Sequence, residues 1–306
     1  MQEKTLYKLL LIVKIQKNGQ KVLILVVCSR NYLSYISSKT QKKIFQNNRN
    51  FKTIHYTGDS NLDHKELDYL GSSSKEYLYV NSRNDYKNIA FKTLLAFEEV
   101  FKKFEFDYIF RTNTSSFINL KKLEAYIDEN QSTLDYSGVV LDTKQQIKIA
   151  SGAGFFISRK NIELIIDNKD KFDIDSPDDV AVAKLMKENN IFPKNIIRED
   201  LNEANTPKDL IKILNPKDLV NSNHFHYRCR LDPHFHRILE PILFKYMNLV
   251  FNLKSTIIKN ILYSGLLTLF NLSNLKYIKK IIQKYYSFKF YGDIQLKNYT
   301  IYSKNK

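Results

Sequence analysis

The sequence predicts an α/β fold, a mainly parallel sheet flanked by helices, followed by a helical C-terminal extension. Three observations carry that prediction. Val22 to Cys28 is an unbroken apolar run rich in β-branched residues, the pattern of a strand buried on both faces. Short apolar runs of strand length then alternate with amphipathic stretches of helix length. Beyond Pro241 the character changes to apolar clusters interrupted by lysine.

Taken in order, the first strand ends in the polar Ser29-Arg30-Asn31, and a polar helix is expected from Ser38 to Asn47. Phe51 to Tyr56 makes a second strand, closed by Thr57-Gly58-Asp59, and Glu76 to Val80 a third. Tyr86 to Phe104 is a long helix with Ile89, Thr93, Ala96, Val100 and Phe104 at helical spacing. Asp107 to Phe110 is a fourth strand, Arg111 to Ser116 a polar loop, and Leu120 to Asn130 a helix. Tyr136 to Leu141, Ile147 to Ala150 and Ala153 to Ser158 read as shorter strands extending the sheet. Ser176-Pro177-Asp178-Asp179 is suited to open a helix running to about Asn189: serine caps, proline takes the first helical position, and two acids meet the positive end of the dipole. Ligands of such sheets bind beyond the carboxyl ends of the strands, so Ser29-Arg30 and Arg111 to Ser116 are the first candidate binding loops. The expected organisation is an α/β domain over 1–240 and a basic amphipathic helical region over 241–306.

Composition narrows the class. With 306 residues, 43% hydrophobic and 13% aromatic, the chain can bury a substantial core, which excludes wholesale disorder. The net charge of +16 is uneven: 241–306 hold 11 lysines against Asp293 alone, a local charge of +10, leaving +6 for the rest. Such a tail suits an anionic membrane surface, or is simply a set of solvated lysine-rich helix faces. No nucleic-acid-binding motif accompanies the charge. Cys28 and Cys229 cannot build a disulfide framework and fit a reducing cytoplasm. The apolar Leu9 to Val13 is shorter than a signal h-region, and no window reaches about 18 uninterrupted apolar residues, so a cytoplasmic protein, peripheral at most on the inner face of a membrane, is expected.

Four ordered segments carry a resemblance. Asn84-Asp85-Tyr86-Lys87-Asn88-Ile89-Ala90-Phe91-Lys92-Thr93 is similar to the "DxYxNLxxKT" segment of β-1,3-galactosyltransferase- and Fringe-like enzymes. Asp107 to Asn119 resembles their "DYIFKTDDDVFIN", Ala150 to Arg159 their "YASGAGYVLSRD", and Asp178 to Ala183 their "EDVYVG". The resemblance implies a GT-A-type, Rossmann-like fold and an inverting transfer of a hexose or N-acetylhexosamine. The donor is a nucleotide sugar, and the acceptor a glycan or lipid-linked glycan in surface polysaccharide or lipopolysaccharide synthesis. The candidate donor-binding residues are Ser29 and Arg30 at the end of the first strand, Asp85, Asn88, Lys92 and Arg111 in the resembling segments, and the loop Asn113-Thr114-Ser115.

Asp179 is the candidate general base, with Asp178 as the fallback, because inverting transfer needs a carboxylate to take the proton of the acceptor hydroxyl. The same two acids also serve as helix-start residues, and that reading stays open beside the chemical one. Gly152, Ala153 and Gly154 are candidates for contact with acceptor or sugar through bare backbone, or for a turn needing positive φ. The departure from the family is the metal loop. Enzymes of this type commonly hold Mn²⁺ or Mg²⁺ with Asp-x-Asp, and the neutral Asn113-Thr114-Ser115 lacks those carboxylates, so either metal stays an open alternative that these residues disfavour. Arginine and lysine would then meet the diphosphate, with Arg228 and Arg230 as the best-suited forks. His224 and His226, expected on one face of a strand, are the remaining candidates for a metal or for the diphosphate. Loss of the carboxylates also motivates an alternative, a catalytically silent glycan- or membrane-binding protein.

Overall fold

In the computed structural model the described residues are 21–29, 32–46, 50–60, 77–143, 146–201, 212–231 and 237–274. Arg30, His64, His234, His236, the N-terminal apolar run and the tail beyond residue 274 lie outside them. The chain divides into two units, each assembled from separate stretches.

The first unit comprises 1–27, 45–113 and 123–197. Its sheet has the order β3-β2-β1-β4-β7-β6-β8, formed by β1 (Val22–Val27), β2 (Lys52–Gly58), β3 (Tyr77–Val80), β4 (Tyr108–Asn113), β6 (Tyr136–Asp142), β7 (Lys148–Ser158) and β8 (Lys194–Asn195). The pairs β1–β2, β2–β3, β1–β4 and β6–β8 are parallel, while β7 runs antiparallel to both β4 and β6, so the sheet is mainly parallel as expected. Every residue of β1 is buried, which is what its unbroken apolar run requires. Two expected short strands are one: β7 continues through Gly152 and Gly154, and the irregularity falls instead on its partner, where the register shifts between Gly138 and Val140.

One face of this sheet is covered by α2 (Ile89–Lys103), α4 (Arg159–Asp167) and α5 (Asp178–Glu188). Leu94, Phe97 and Val100 of α2 pack with Ile109 and Phe155 of the sheet and Leu185 and Met186 of α5. Each fully buried large side chain of this kind contributes about 1.5–3 kcal/mol. Strand alternation sends Phe110 and Phe156 to the other face, where their rings lie 4.7 Å apart and Tyr126 of α3 (Leu120–Glu129) stacks on Phe156. The expected serine cap of α5 does not form. The Ser176 hydroxyl donates to Asp173 at 2.5 Å, Pro177 takes the N-cap position, and Asp178 begins the helix.

The second unit comprises 28–44, 114–122 and 198 onward. A small sheet of order β5-β10-β9 is formed by β5 (Ser116–Ile118), β9 (Glu199–Asp200) and β10 (His226–Arg228). Around it lie α1 (Tyr32–Phe45), α6 (Pro216–Asn221), α7 (Glu240–Asn252) and α8 (Thr256–Asn274). Phe117, Leu219, Tyr227, Phe244, Met247 and Leu266 form its core, with Leu33 and Ile44 of α1 packed on it. The boundary expected at residue 240 is therefore not the structural one: α7 and α8 share a core with segments far earlier in the chain. Cys28 and Cys229 are both buried and free. Among the described residues no helix is long and apolar enough to cross a membrane.

Candidate active site

The four sequence segments meet in the first unit, through side chains. Thr93 on α2 accepts from the Tyr56 hydroxyl at 2.8 Å and donates to Asp178 Oδ2 at 2.9 Å. Asp178 forms an ion pair with Arg111, whose guanidinium also donates to the Gly152 carbonyl. The amide of the same Gly152 donates to Asp179 Oδ2 at 2.7 Å, and the Val180 amide donates to Asp179 Oδ1 at 3.0 Å. Segments distant in sequence thus form one connected polar network.

Its inner part is dry. The Arg111 and Asp178 side chains are 1% and 4% exposed. Burial pushes the Asp178 carboxyl up from the ordinary carboxylate range, against the pull of Arg111. Burial alone would lower the Arg111 pKa, but Asp178 and Tyr56 outweigh it and hold the guanidinium charged. The Tyr56 hydroxyl is pushed up to about 12 by the same burial. These facts correct two expectations. Arg111 lies inside β4 rather than in a loop, and its guanidinium is committed to Asp178 and Gly152. Asp178 is enclosed and ion-paired, so it is no fallback base.

Asp179 differs. Its side chain is half-buried, and each carboxylate oxygen takes one backbone amide. A carboxylate oxygen accepts at more than one lone pair, so each keeps capacity for a further donor. The carboxylate sits in the first turn of α5, where the helix dipole favours its charge, and the two amides fix its orientation. Gly152 explains its own identity here: a Cβ at that position would stand 2.8 Å from Asp179 Oδ2. The close approach that excludes a side chain is thus to Asp179, and the expected turn is absent, since no described glycine has positive φ. Ala153 and Gly154 likewise lie within β7. The Ala153 carbonyl accepts from the Thr112 hydroxyl at 2.8 Å, and Gly154 is paired opposite Thr112.

Lys92 is 2% exposed and donates to Asn84 Oδ1 at 3.2 Å. Asp85 Oδ1 accepts from the Asn88 amide at 2.9 Å and from its side chain at 2.7 Å, and these bonds hold its carboxyl below the usual range. Asp85 and Asn88 therefore shape the approach to α2. Asn113, two residues beyond Arg111, falls on the same face of β4 by strand alternation.

In the second unit, the loop expected over Arg111 to Ser116 shrinks to the turn at Thr114-Ser115. Thr114 Oγ1 shares a hydrogen bond of 3.1 Å with Ser34 Oγ, which also accepts from the Ser29 amide at 2.9 Å. Ser115 Oγ accepts from Arg237 Nη2 at 2.8 Å. A hard divalent cation wants carboxylate oxygens, and this neutral, already engaged hydroxyl pair does not fit one.

The histidines do not act as a pair. His226 lies in β10, fully buried, with Nε2 hydrogen-bonded to Ser116 Oγ at 3.0 Å, and burial followed by Arg198 and Arg228 drives its pKa well below the ordinary histidine value. His224 precedes the strand and meets Glu199 at 3.3 Å. Among the described residues no group of three or more His, Cys, Asp or Glu is placed to hold a metal. Arg228 is half-buried in β10 and Arg230 is exposed just beyond it. Arg237 is the residue that sequence reasoning missed. Its one signal was the spacing to Glu240, an i,i+3 opposite-charge pair.

Residues 36–148 match the family model described as galactosyltransferase. The match covers the segments at Asn84 and Asp107 and ends before Ala150 and Asp179. No curated protein sequence matches the chain. Among solved structures, it is similar to a glycosyltransferase involved in glycosylating the major capsid of PBCV-1, at 9% identity over 74% of this chain and 98% of that one, with a TM-score of 0.45. It is also similar to the glycosyltransferase GlyE of Streptococcus pneumoniae, at 10% identity over 82% of this chain and 64% of that one, with a TM-score of 0.40. The weight rests on the family match and on the fold that carries it. The match over residues 36–148 supports a glycosyltransferase, and the mainly parallel α/β sheet is the fold on which it falls.

Proposed function

We propose that the protein is an inverting, Fringe-like glycosyltransferase that moves a hexose or N-acetylhexosamine from a nucleotide sugar to a hydroxyl of a surface-polysaccharide or lipopolysaccharide precursor. The observation that carries the reading is the Asp179 carboxylate, oriented by the Gly152 and Val180 amides and backed by the buried Arg111–Asp178 pair. In this mechanism Asp179 takes the proton of the acceptor hydroxyl. The hydroxyl oxygen forms its bond to the anomeric carbon as the bond to the diphosphate breaks, and the electron pair leaves with the nucleoside diphosphate. Because Thr114 and Ser115 do not fit a hard cation, charge on the leaving group is met by protein donors rather than by Mn²⁺ or Mg²⁺.

A thermal-shift and transfer panel of UDP-, GDP- and CMP-sugars, run with EDTA and with Mn²⁺, tests the reading. One donor class should raise the melting temperature and be turned over, equally well in EDTA. If no donor stabilises the protein, the reading is wrong and the silent binding protein suggested by the neutral loop takes its place.

The acceptor is placed at an anionic membrane in this reading. Ile257, Ile258 and Ile261 of α8 are 74%, 46% and 65% exposed, next to Lys254 and Lys259, within the region 241–306 that carries +10. Apolar residues inserted among lysines suit an anionic lipid interface. Sedimentation with vesicles containing phosphatidylglycerol should carry the protein down at low salt, and vesicles of phosphatidylcholine alone should not. Equal recovery in both supernatants would remove the membrane from the proposal.

A further inference from the structure

We infer that Arg237 binds the diphosphate of the nucleotide-sugar donor, supplying from the chain itself the positive charge that the neutral Thr114-Ser115 turn lacks; this rests on the reading of the protein as a nucleotide-sugar transferase. Arg237 Nε donates to Glu240 Oε1 at 2.8 Å, and Nη2 lies 3.4 Å from Glu240 Oε2 and donates to Ser115 Oγ at 2.8 Å. Glu240 is 1% exposed and also accepts from the Leu231 amide at 3.3 Å, so the carboxylate is anchored and the guanidinium is held by it. The Arg237 side chain itself is 32% exposed, and its Nη1 has no partner among the described residues.

A guanidinium has five N–H donors in a fixed fork. Here one edge is committed to Glu240 and Ser115, and the Nη1 end is left to meet an oxyanion. The surroundings favour an anion beyond what Glu240 neutralises: Arg230 acts electrostatically on Glu240, while Arg198 and Arg228 act on His226, which stays neutral. Arg198 is matched by Asp200 through two bonds of 2.7 Å, and Arg230 lies exposed just beyond β10. Paired phosphoryl oxygens are the ligand chemistry that such forks recognise. A nucleoside diphosphate presents them and gains charge as it leaves, so the contact strengthens during transfer.

The test is calorimetric titration, in EDTA, of the full chain with UDP, UMP and uridine and with the guanine and cytosine series. The wild type should bind one diphosphate, and Arg237→Gln should weaken it by about tenfold to a hundredfold, the worth of hydrogen bonds to a charged group, while moving the nucleoside hardly at all. Arg237→Lys should recover part of the loss. Since Arg237→Gln leaves Glu240 buried without its partner, Arg237→Gln/Glu240→Gln is measured beside it and should show the same selective loss. Equal weakening of nucleoside and diphosphate would reduce Arg237 to a structural partner of Glu240 and overturn the inference. A wild type that binds no nucleotide removes the transferase reading itself, and the inference with it.

Discussion

Asp179→Asn is expected to lower the rate of sugar transfer by about 10²–10⁴-fold, the range that a positioned general base contributes. The substitution is nearly isosteric. One amide oxygen remains to accept from Gly152 or Val180, so the loop and helix start keep their geometry while the proton acceptor is gone. Loss of a negative charge in the first turn of α5 costs about 0.3–1 kcal/mol, so the variant should melt only a few degrees lower. Donor binding should be unchanged, because the residue acts on the acceptor side of the reaction. Initial rates at saturating donor, alongside a melting curve, make the measurement. A variant retaining more than about a tenth of the wild-type rate would show that the proton leaves by another route.

Arg111→Met is expected to destabilise the fold by about 3–5 kcal/mol, because it strands the Asp178 carboxylate in a dry interior. It also removes the donor to the Gly152 carbonyl, the backbone unit whose amide holds Asp179. The double variant Arg111→Met/Asp178→Leu should recover most of the loss, since replacing a whole buried ion pair with apolar groups of similar size is often neutral or better. The Thr93 and Tyr56 hydroxyls would still satisfy each other. Urea unfolding of the two variants and the wild type gives the comparison. A double variant less stable than Arg111→Met would mean that the two charges are not acting as a pair.

Much of the sheet was legible in the sequence. The run Val22 to Val27 is buried at every position, and apolar patterning located β2, β3, β4 and β6 within a few residues. What the pattern could not convey was the fate of polar residues at a strand end. Arg111-Thr112-Asn113 reads as a loop because charge and hydroxyls usually meet water, whereas the partner that allows Arg111 to be buried, Asp178, lies far along the chain. Gly152 suggested a turn or a ligand contact for the same reason: the carboxylate that forbids its side chain belongs to another segment. The helix start at Asp178-Asp179 was legible because its signal is local, two acids behind a proline. Arg237 was not, since its signal was one ordinary charged pair in a lysine-rich chain and its meaning depends on Ser115. The boundary at residue 240 followed composition, while packing followed the apolar residues of α7 and α8 to Phe117 and Tyr227.

The alternation of the two units along the polypeptide has a consequence for biosynthesis. Leu33 and Ile44 emerge from the ribosome long before Phe244 and Met247, members of the core they pack on, and β4 emerges before its antiparallel neighbour β7. Neither unit can close while the chain is still short, so greasy helices and an unfinished sheet margin stay open to solvent until late in translation. Yield in a foreign host should therefore depend on elongation speed and on holdase capacity more than the stability of the finished protein would suggest.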